Sequence, residues 1–307
     1  MAEPTRCVVF AYSDVGFRCL SVLLESNLSV SLVVTHTDQP GEERWFSSVA
    51  ELAGRHGVPV LTWESVAEAD ILDRVRGIRP AWIFSFYFRA MLSSELLSCA
   101  AAGALNMHGS LLPRYRGRAP INWAILRGER ETGATLHRMT ARPDQGDVLE
   151  QMSVPILLND TALDVSRKVG VVAELLMVRF LDKLRHGALE YKPQDDSLAT
   201  YFGKRTAEDG LIDWRRPALV IHNLVRAVAP PFPGAYFESR GGTVKLLQSY
   251  YTGDDALAPG PRLYFDDERL WADCIDGRRL LIVQATLAGQ PLTRRRFESE
   301  FGAELAL

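Results

Sequence analysis

The feature that most constrains the fold is an alternation. Through the first half of the chain, apolar runs about one strand long are separated by helical patterns: "RCVVFAY" (6–12), "VSLVVT" (30–35), "PVLTW" (59–63), "AWIFSF" (81–86) and "GALNMH" (103–108). A helix after residue 12 carries Val15, Cys19, Val22 and Leu23 on one face, and further helical patterns cover residues 43–56 and 66–76. Short apolar strands with helices between them predict a parallel sheet covered on both faces. The right-handed crossover rule then gives a doubly wound, Rossmann-like α/β sheet. Ligands on such sheets collect beyond the carboxyl ends of the strands. Residues 12–16, 35–41, 86–91 and 106–118 lie at those ends.

The pattern changes further on. "GATLHRMT" (133–140) and "VLEQMSVPI" (148–156) read as an antiparallel pair joined by the turn "ARPDQGD". A long helix follows over 161–186, with Asp160 or Thr161 as its N-cap. "KPQDDSLATYFGKRTAEDG", from Lys192, is polar and turn-rich and reads as a linker. After a helix near 218–229, the short runs "TVKLLQSYY", "RLYF", "ERLWADCI" and "RRLLIVQATL" predict a small β barrel. The expected organisation is an α/β domain over 1–191, a linker over 192–206 and a smaller β-rich domain over 207–307.

Composition removes several function classes. A net charge of -3 over 307 residues gives no overall attraction to nucleic acid or an anionic membrane. No stretch approaches the roughly 20 apolar residues of a membrane span, and "MAEPTRCVVFAY" lacks the pattern of a signal peptide. Cys7, Cys19, Cys99 and Cys274 are scattered. The first three sit in apolar surroundings and read as core residues, so neither a disulfide framework nor a structural zinc site is expected. These features describe a cytosolic protein.

The first βα turn, "FAYSDVGF", holds only Gly16 where a dinucleotide site needs G-x-G-x-x-G, and no P-loop motif occurs. The unusual stretch is instead "LNMHGSLLPRYRGRAPINWAIL" (105–126). Asn106 and His108 are two residues apart on a strand and so face the same side. A neutral imidazole can take a proton, and an amide N–H can hold a developing oxyanion. A lone histidine is most often structural; the neighbouring amide and the strand-end position favour chemistry. Asp144 in "RPDQGD" has two readings: a turn former, or a carboxylate that orients His108 and stabilises its protonated form. A metal on His108, His137 and Asp144 matches no recognised ligand spacing, and none is expected. Arg114, Arg116 and Arg118 form either a solvated loop or a grip on phosphate or carboxylate groups. Lys204 and Arg205, beside aromatics in "YFGKRT", could form a platform for a nucleobase and diphosphate.

"NMHGSLLPRYRGRAPINWAI" followed by "ETGATLHRMTARPDQGDVL" resembles the core signature of the 10-formyltetrahydrofolate-dependent formyltransferases. The resemblance covers most of the chain and weakens after about residue 248. "FAYSDVG", "THTDQPGEERWFSSVAELA", "IFSFYFR", "YFGKRTAEDG" and "LVRAVAPPFPGAY" are most similar to the branch that formylates UDP-4-amino-4-deoxy-L-arabinose for lipid A modification, the route to polymyxin resistance. The resemblance implies a Rossmann-like half followed by an OB-like half. It implies 10-formyltetrahydrofolate as formyl donor, a UDP-linked amino sugar as acceptor, and Asn106, His108 and Asp144 as the catalytic trio. It further implies that backbone groups around Phe86, Tyr87, Phe88, Arg89 and Met91 bind the pterin. Arg114, Arg116, Lys204 and Arg205 are assigned to the nucleotide-sugar side. The bifunctional form carries an additional decarboxylase domain, so this chain is either stand-alone or part of a longer protein, and a homo-oligomer is open. Methionyl-tRNA formyltransferase and formyltetrahydrofolate hydrolase share the signature. The slightly acidic chain and the short, mixed-charge "HTDQPGEERWF" speak against the tRNA enzyme. The β half and the Lys204–Arg205 patch would have no evident job in the hydrolase.

Overall fold

The computed structural model describes residues 5–37 and 45–307. The chain forms two compact units. One comprises Met1–Pro120, Thr132–Val154 and Arg167–Gly203; the other comprises Ile121–Glu131, Pro155–Ser166 and Lys204–Leu307.

The strands of the first unit are β1 (Arg6–Ala11), β2 (Ser29–Thr35), β3 (Val60–Thr62), β4 (Trp82–Phe86), β5 (Gly103–His108), β6 (Arg116–Gly117), β7 (Glu131–Arg138), β8 (Val148–Pro155) and β9 (Tyr201–Phe202). Seven of them form one sheet in the order β3-β2-β1-β4-β5-β7-β8. β1 pairs in parallel with both β2 and β4, β2 with β3, and β4 with β5. This is the expected Rossmann-like order. Its reversal point lies between β1 and β4, so Tyr12 and Phe86 flank the switch point and His108 lies one strand further out. β7 then adds antiparallel to β5.

Alternation along the parallel strands fills both faces of the sheet. Val8, Phe10, Leu32, Val34, Ile83 and Ala104 pack on one side with Ile71 and Val75 from the helix Glu68–Ile78. Phe84 points the other way and meets Phe180 of the helix Ala162–Arg185, with ring centroids 5.7 Å apart. The helix Ser13–Leu24 buries Val15, Gly16, Cys19, Leu20 and Leu23; Val22 of the expected face is half-buried. Gly16 is needed for that close packing, because a Cβ there would come within 3.2 Å of Ala11. Cys99 is half-buried rather than core. The helix expected over 43–56 is Val49–Arg55, capped by the Ser48 side chain; residues 38–44 lie outside the described residues.

The segment read as a linker carries regular structure. Lys192 bridges to Val148, and β9 pairs in parallel with β6.

In the second unit, β10 (Ala235–Ser239), β11 (Gly242–Tyr250), β12 (Arg262–Asp266), β13 (Arg269–Asp273), β14 (Arg279–Leu287), β15 (Gln290–Pro291) and β16 (Glu304–Ala306) form an antiparallel sheet. The pairing path is β10-β11-β14-β13-β12-β16, with β15 beside β14. The helix Ala218–Ala227 adds Ala218, Ile221 and Val225 to its core. The helix Arg294–Phe301, not anticipated from the sequence, adds Phe297 and Phe301. Thr161 caps the helix Ala162–Arg185: its Oγ1 accepts from Asp164 N at 3.3 Å, and the Asp164 carboxylate accepts from Thr161 N at 2.9 Å.

Candidate active site

The register of β5 against β7 builds the site. Asn106 stands opposite His137, and His108 opposite Thr135. Opposed residues in an antiparallel pair share a face, so the two imidazoles and the amide gather beyond the sheet edge. Asn106 Nδ2 lies 3.1 Å from His137 Nε2, and His137 Nδ1 lies 2.9 Å from the Arg138 carbonyl. A carbonyl can only accept, so Nδ1 of His137 carries the proton. Nε2 then accepts from the amide.

The same logic fixes His108. Its Nε2 donates to the Tyr115 carbonyl at 2.8 Å. Nδ1, the nitrogen left with a lone pair, faces Asp144 Oδ1 at 3.5 Å. The Tyr115 carbonyl therefore holds the ring, and Asp144 confronts the nitrogen that would gain a proton. Asp144 Oδ1 is also 3.6 Å from His137 Nε2, and its Oδ2 accepts from Gly117 N at 2.9 Å. Asp144 lies in the turn and directs its carboxylate toward both histidines. Its φ of 57° places it in the left-handed region, and that conformation aims the side chain at the histidines.

The electrostatics follow. Burial pushes the His108 imidazole below its ordinary value, although Asp144 and the Tyr115 carbonyl pull the other way. Burial also opposes charge on Asp144, but His108, His137 and the Gly117 N–H outweigh it and hold the carboxyl well below the usual carboxylate range. The pair at neutral pH is a neutral imidazole beside a carboxylate. Among the described residues no group of three or more His, Cys, Asp or Glu side chains is placed to hold a metal ion.

The loop between β5 and β6 is pinned from below. Ser110 Oγ donates to the Arg114 carbonyl at 2.6 Å, and Thr135 Oγ1 donates to the Ser110 carbonyl at 2.6 Å. Gln151 Nε2 donates to the Leu112 carbonyl at 2.9 Å.

The residues after β4 divide. Phe86 is buried in the sheet, and its carbonyl accepts from Tyr12 N at 3.0 Å. Tyr87 has a φ of 54°, and its phenol is tucked against Gly109, where a Cβ would collide with the hydroxyl oxygen. Phe88 stacks on His36 with centroids 4.1 Å apart. Arg89 N donates to His36 Nε2 at 3.0 Å, and the Arg89 carbonyl accepts from Arg118 Nη2 at 3.1 Å. Met91 is 58% exposed. Three of the main-chain groups expected to meet a pterin thus already have protein partners.

The expected substrate cations also divide. Arg114 is exposed beside the Tyr115 ring. Arg116 is 1% exposed, and its guanidinium is committed to Gln194, Asp196 and Tyr201 at 2.6–3.1 Å. Lys204 and Arg205 belong to the second unit. Lys204 is exposed, and Arg205 lies half-buried with its guanidinium 5.0 Å over the Trp123 ring.

Two residues that sequence reasoning missed bear on the site. Gln194 Nε2 donates to the carbonyls of Asp144 and Gly146 at 2.9 and 2.7 Å. The Tyr201 hydroxyl accepts from Gln145 Nε2 at 2.7 Å. Gln194 lies in the polar stretch read as a linker, and its partners are 48 and 50 residues away. No local sequence signal marks it.

The profile of the Formyl transferase family matches residues 6–181, and that of its C-terminal domain matches residues 204–298. The chain belongs to the formyl transferase family. Solved structures resemble this formyltransferase over nearly its full length. An N-formyltransferase from Helicobacter canadensis, in complex with folinic acid and dTDP-3-aminofucose, is 21% identical with a TM-score of 0.71, covering 94% of this chain and 100% of its own. WlaRD, a sugar 3N-formyl transferase crystallised with dTDP and 5-N-formyl-THF, is 19% identical with a TM-score of 0.69 over the same shares. HypX from Aquifex aeolicus, in complex with tetrahydrofolic acid, is 20% identical with a TM-score of 0.65, covering 97% of this chain and 47% of its own. At these identities the likeness is one of fold.

Proposed function

We propose that the enzyme transfers the formyl group of 10-formyltetrahydrofolate to the amine of a nucleotide-linked amino sugar, UDP-4-amino-4-deoxy-L-arabinose being the acceptor that the sequence favours. The observation that carries this reading is the meeting of Asn106, His108 and Asp144 beyond β5, with His108 Nδ1 3.5 Å from the Asp144 carboxylate. Support for a sugar acceptor comes from the motifs and from the amino-sugar nucleotide bound to the Helicobacter canadensis enzyme.

The folate supplies a formyl group already activated on N10. The site fits such a carbonyl: Asn106 is half-buried, and among the described residues its amide N–H meets only His137, so that the second N–H can serve a carbonyl oxygen. As the sugar amine bonds to the formyl carbon and the bond to N10 breaks, Asn106 steadies the charge on oxygen. His108 Nδ1 takes the proton that the amine loses and passes it to N10 as the folate leaves, and Asp144 stabilises the imidazolium formed in between. Phe86, Tyr87, Phe88, Arg89 and Met91 form the wall assigned to the pterin. Arg114, Lys204 and Arg205 are assigned to the nucleotide sugar, and the committed guanidinium of Arg116 takes another role, set out below. In this reading the formamide product serves lipid A modification.

The test incubates the protein with 10-formyltetrahydrofolate and a panel of UDP- and dTDP-amino sugars, with charged methionyl-tRNA as a parallel arm and mass spectrometry as readout. A formamide on the UDP-4-amino sugar is expected. Formylated tRNA, or formate release with no sugar product, would overturn the reading in favour of the tRNA enzyme or the hydrolase.

A further inference from the structure

Among the described residues Arg116 is the largest fully buried side chain, yet it lies in an arginine-rich loop beside His108 and Asp144. Its partners explain why. Arg116 Nε and Nη2 donate to Gln194 Oε1 at 3.1 and 2.7 Å, Nη2 also donates to Asp196 Oδ1 at 2.7 Å, and Nη1 donates to the Tyr201 hydroxyl at 2.6 Å. Gln194 turns its other end to the Asp144 turn, where both N–H bonds of Nε2 reach main-chain carbonyls, those of Asp144 and Gly146. An amide has two acceptor sites and two donors, and here all four are used. Gln145, between those two carbonyls, donates to the same Tyr201 hydroxyl.

The turn needs this support. Asp144 sits at a φ of 57°, a conformation that costs a residue with a Cβ about 1 kcal/mol or more. Left unsupported, the turn would relax, and the carboxylate would leave its 3.5 Å approach to His108. Both ends of the support are fixed. The Arg116 main chain pairs with β9, and Gly117, next to it, donates its own N–H to Asp144 Oδ2.

We infer that Gln194, locked by Arg116, is a positioning residue that holds the Asp144 turn and so sets the carboxylate against His108. The inference deepens the proposed function and rests on that reading only for its kinetic arm. Gln194 touches no reacting atom. It fixes the backbone from which Asp144 projects, and Arg116 fixes Gln194.

The test compares wild type, Gln194→Ala, Gln194→Glu and Asp144→Asn. Gln194→Glu keeps an acceptor for Arg116 but replaces both donors with an oxygen facing two carbonyls, so it probes the turn in a filled, folded site. Circular dichroism and thermal melting establish folding. NMR titration of the His108 ring then reads the carboxylate without any substrate. The expected result is that His108 titrates at lower pH in Gln194→Ala, moving toward its position in Asp144→Asn, because Asp144 raises the affinity of the ring for a proton; in Gln194→Glu the added carboxylate offsets that shift, and the loss is read in kcat. With substrates, kcat should fall roughly 10- to 100-fold while the KM for the folate holds, the size expected when a reacting group shifts by about 1 Å. A folded Gln194→Ala in which His108 titrates as in wild type would overturn the inference. If the titration moves but wild type formylates no amino sugar, the positioning role stands and the assigned reaction falls.

Discussion

Replacing Asp144 with asparagine removes one charge and leaves the shape. The amide oxygen introduced there could still accept from Gly117 N, so the turn has reason to persist. What is lost is the attraction between the carboxylate and the proton arriving at His108 Nδ1, 3.5 Å away. Two unit charges at that distance attract by about 5 kcal/mol at the effective dielectric of about 20 suited to protein sites. That figure is an upper bound, since the carboxylate charge is also shared with the Gly117 N–H. Taking half to most of it as realised only when the ring is charged, kcat should fall about 10²- to 10³-fold, at about 1.4 kcal/mol per decade. The KM for the folate should change little, because neutral His108 in the ground state gains little from the charge. Steady-state kinetics with 10-formyltetrahydrofolate and the amino-sugar nucleotide measure both constants. A folded Asp144→Asn enzyme within threefold of wild-type kcat would refute the reasoning and leave the carboxylate a turn former only.

Asn106→Ala should lower kcat about 10²- to 10³-fold with the fold intact, the typical effect of losing one oxyanion donor; unchanged kinetics would remove the amide from the reaction. The pH dependence of kcat/KM should show an acid limb from His108. Because burial lowers its affinity for a proton, the free enzyme should stay active below the ordinary imidazole value near 6.5 and lose activity only as the ring finally protonates. A limb centred above that value would contradict the assignment. Stability should respond to acid through His222, which is fully buried between Ser249 Oγ and the Leu158 carbonyl and is pushed down to about 4 by burial. A depressed folded value means that the unfolded chain binds the proton first. The contribution is therefore complete above pH 6.5 and lost as pH falls toward about 4, amounting to about 3 kcal/mol. His222→Gln, measured by urea melts across that range, should flatten the pH dependence. Gly117→Ala should destabilise the first unit by about 2 kcal/mol or more, since its φ is 98° and a Cβ would collide with the Phe202 carbonyl oxygen.

The parallel sheet was legible because its strands are apolar almost throughout, and only one packing suits such runs. Gly103–His108 matches its predicted bounds, and the two-residue spacing of Asn106 and His108 translated directly into a shared face. The helix Arg294–Phe301 was hidden because "RRRFESEF" offers only Phe297 and Phe301 to the core, too sparse a stripe to stand out from its charges. The place of Arg116 was hidden for a different reason. Whether a guanidinium faces solvent or the interior depends on what arrives to meet it, and the partners of Arg116 come from 78 to 85 residues further along the chain. The reach of Asp144 depends on a left-handed backbone that Asp-x-Gly permits but does not require.

The short ladder of β6 with β9 has a practical consequence for anyone trimming this enzyme. The N-terminal family match ends at residue 181, and a gene cut there would look complete on paper. Such a fragment would keep Asn106, His108 and Asp144 yet discard Gln194, Asp196 and Tyr201, leaving a bare guanidinium at Arg116 in the interior and an untethered loop above it. A piece that keeps the support beneath the Asp144 turn must therefore run at least through Phe202.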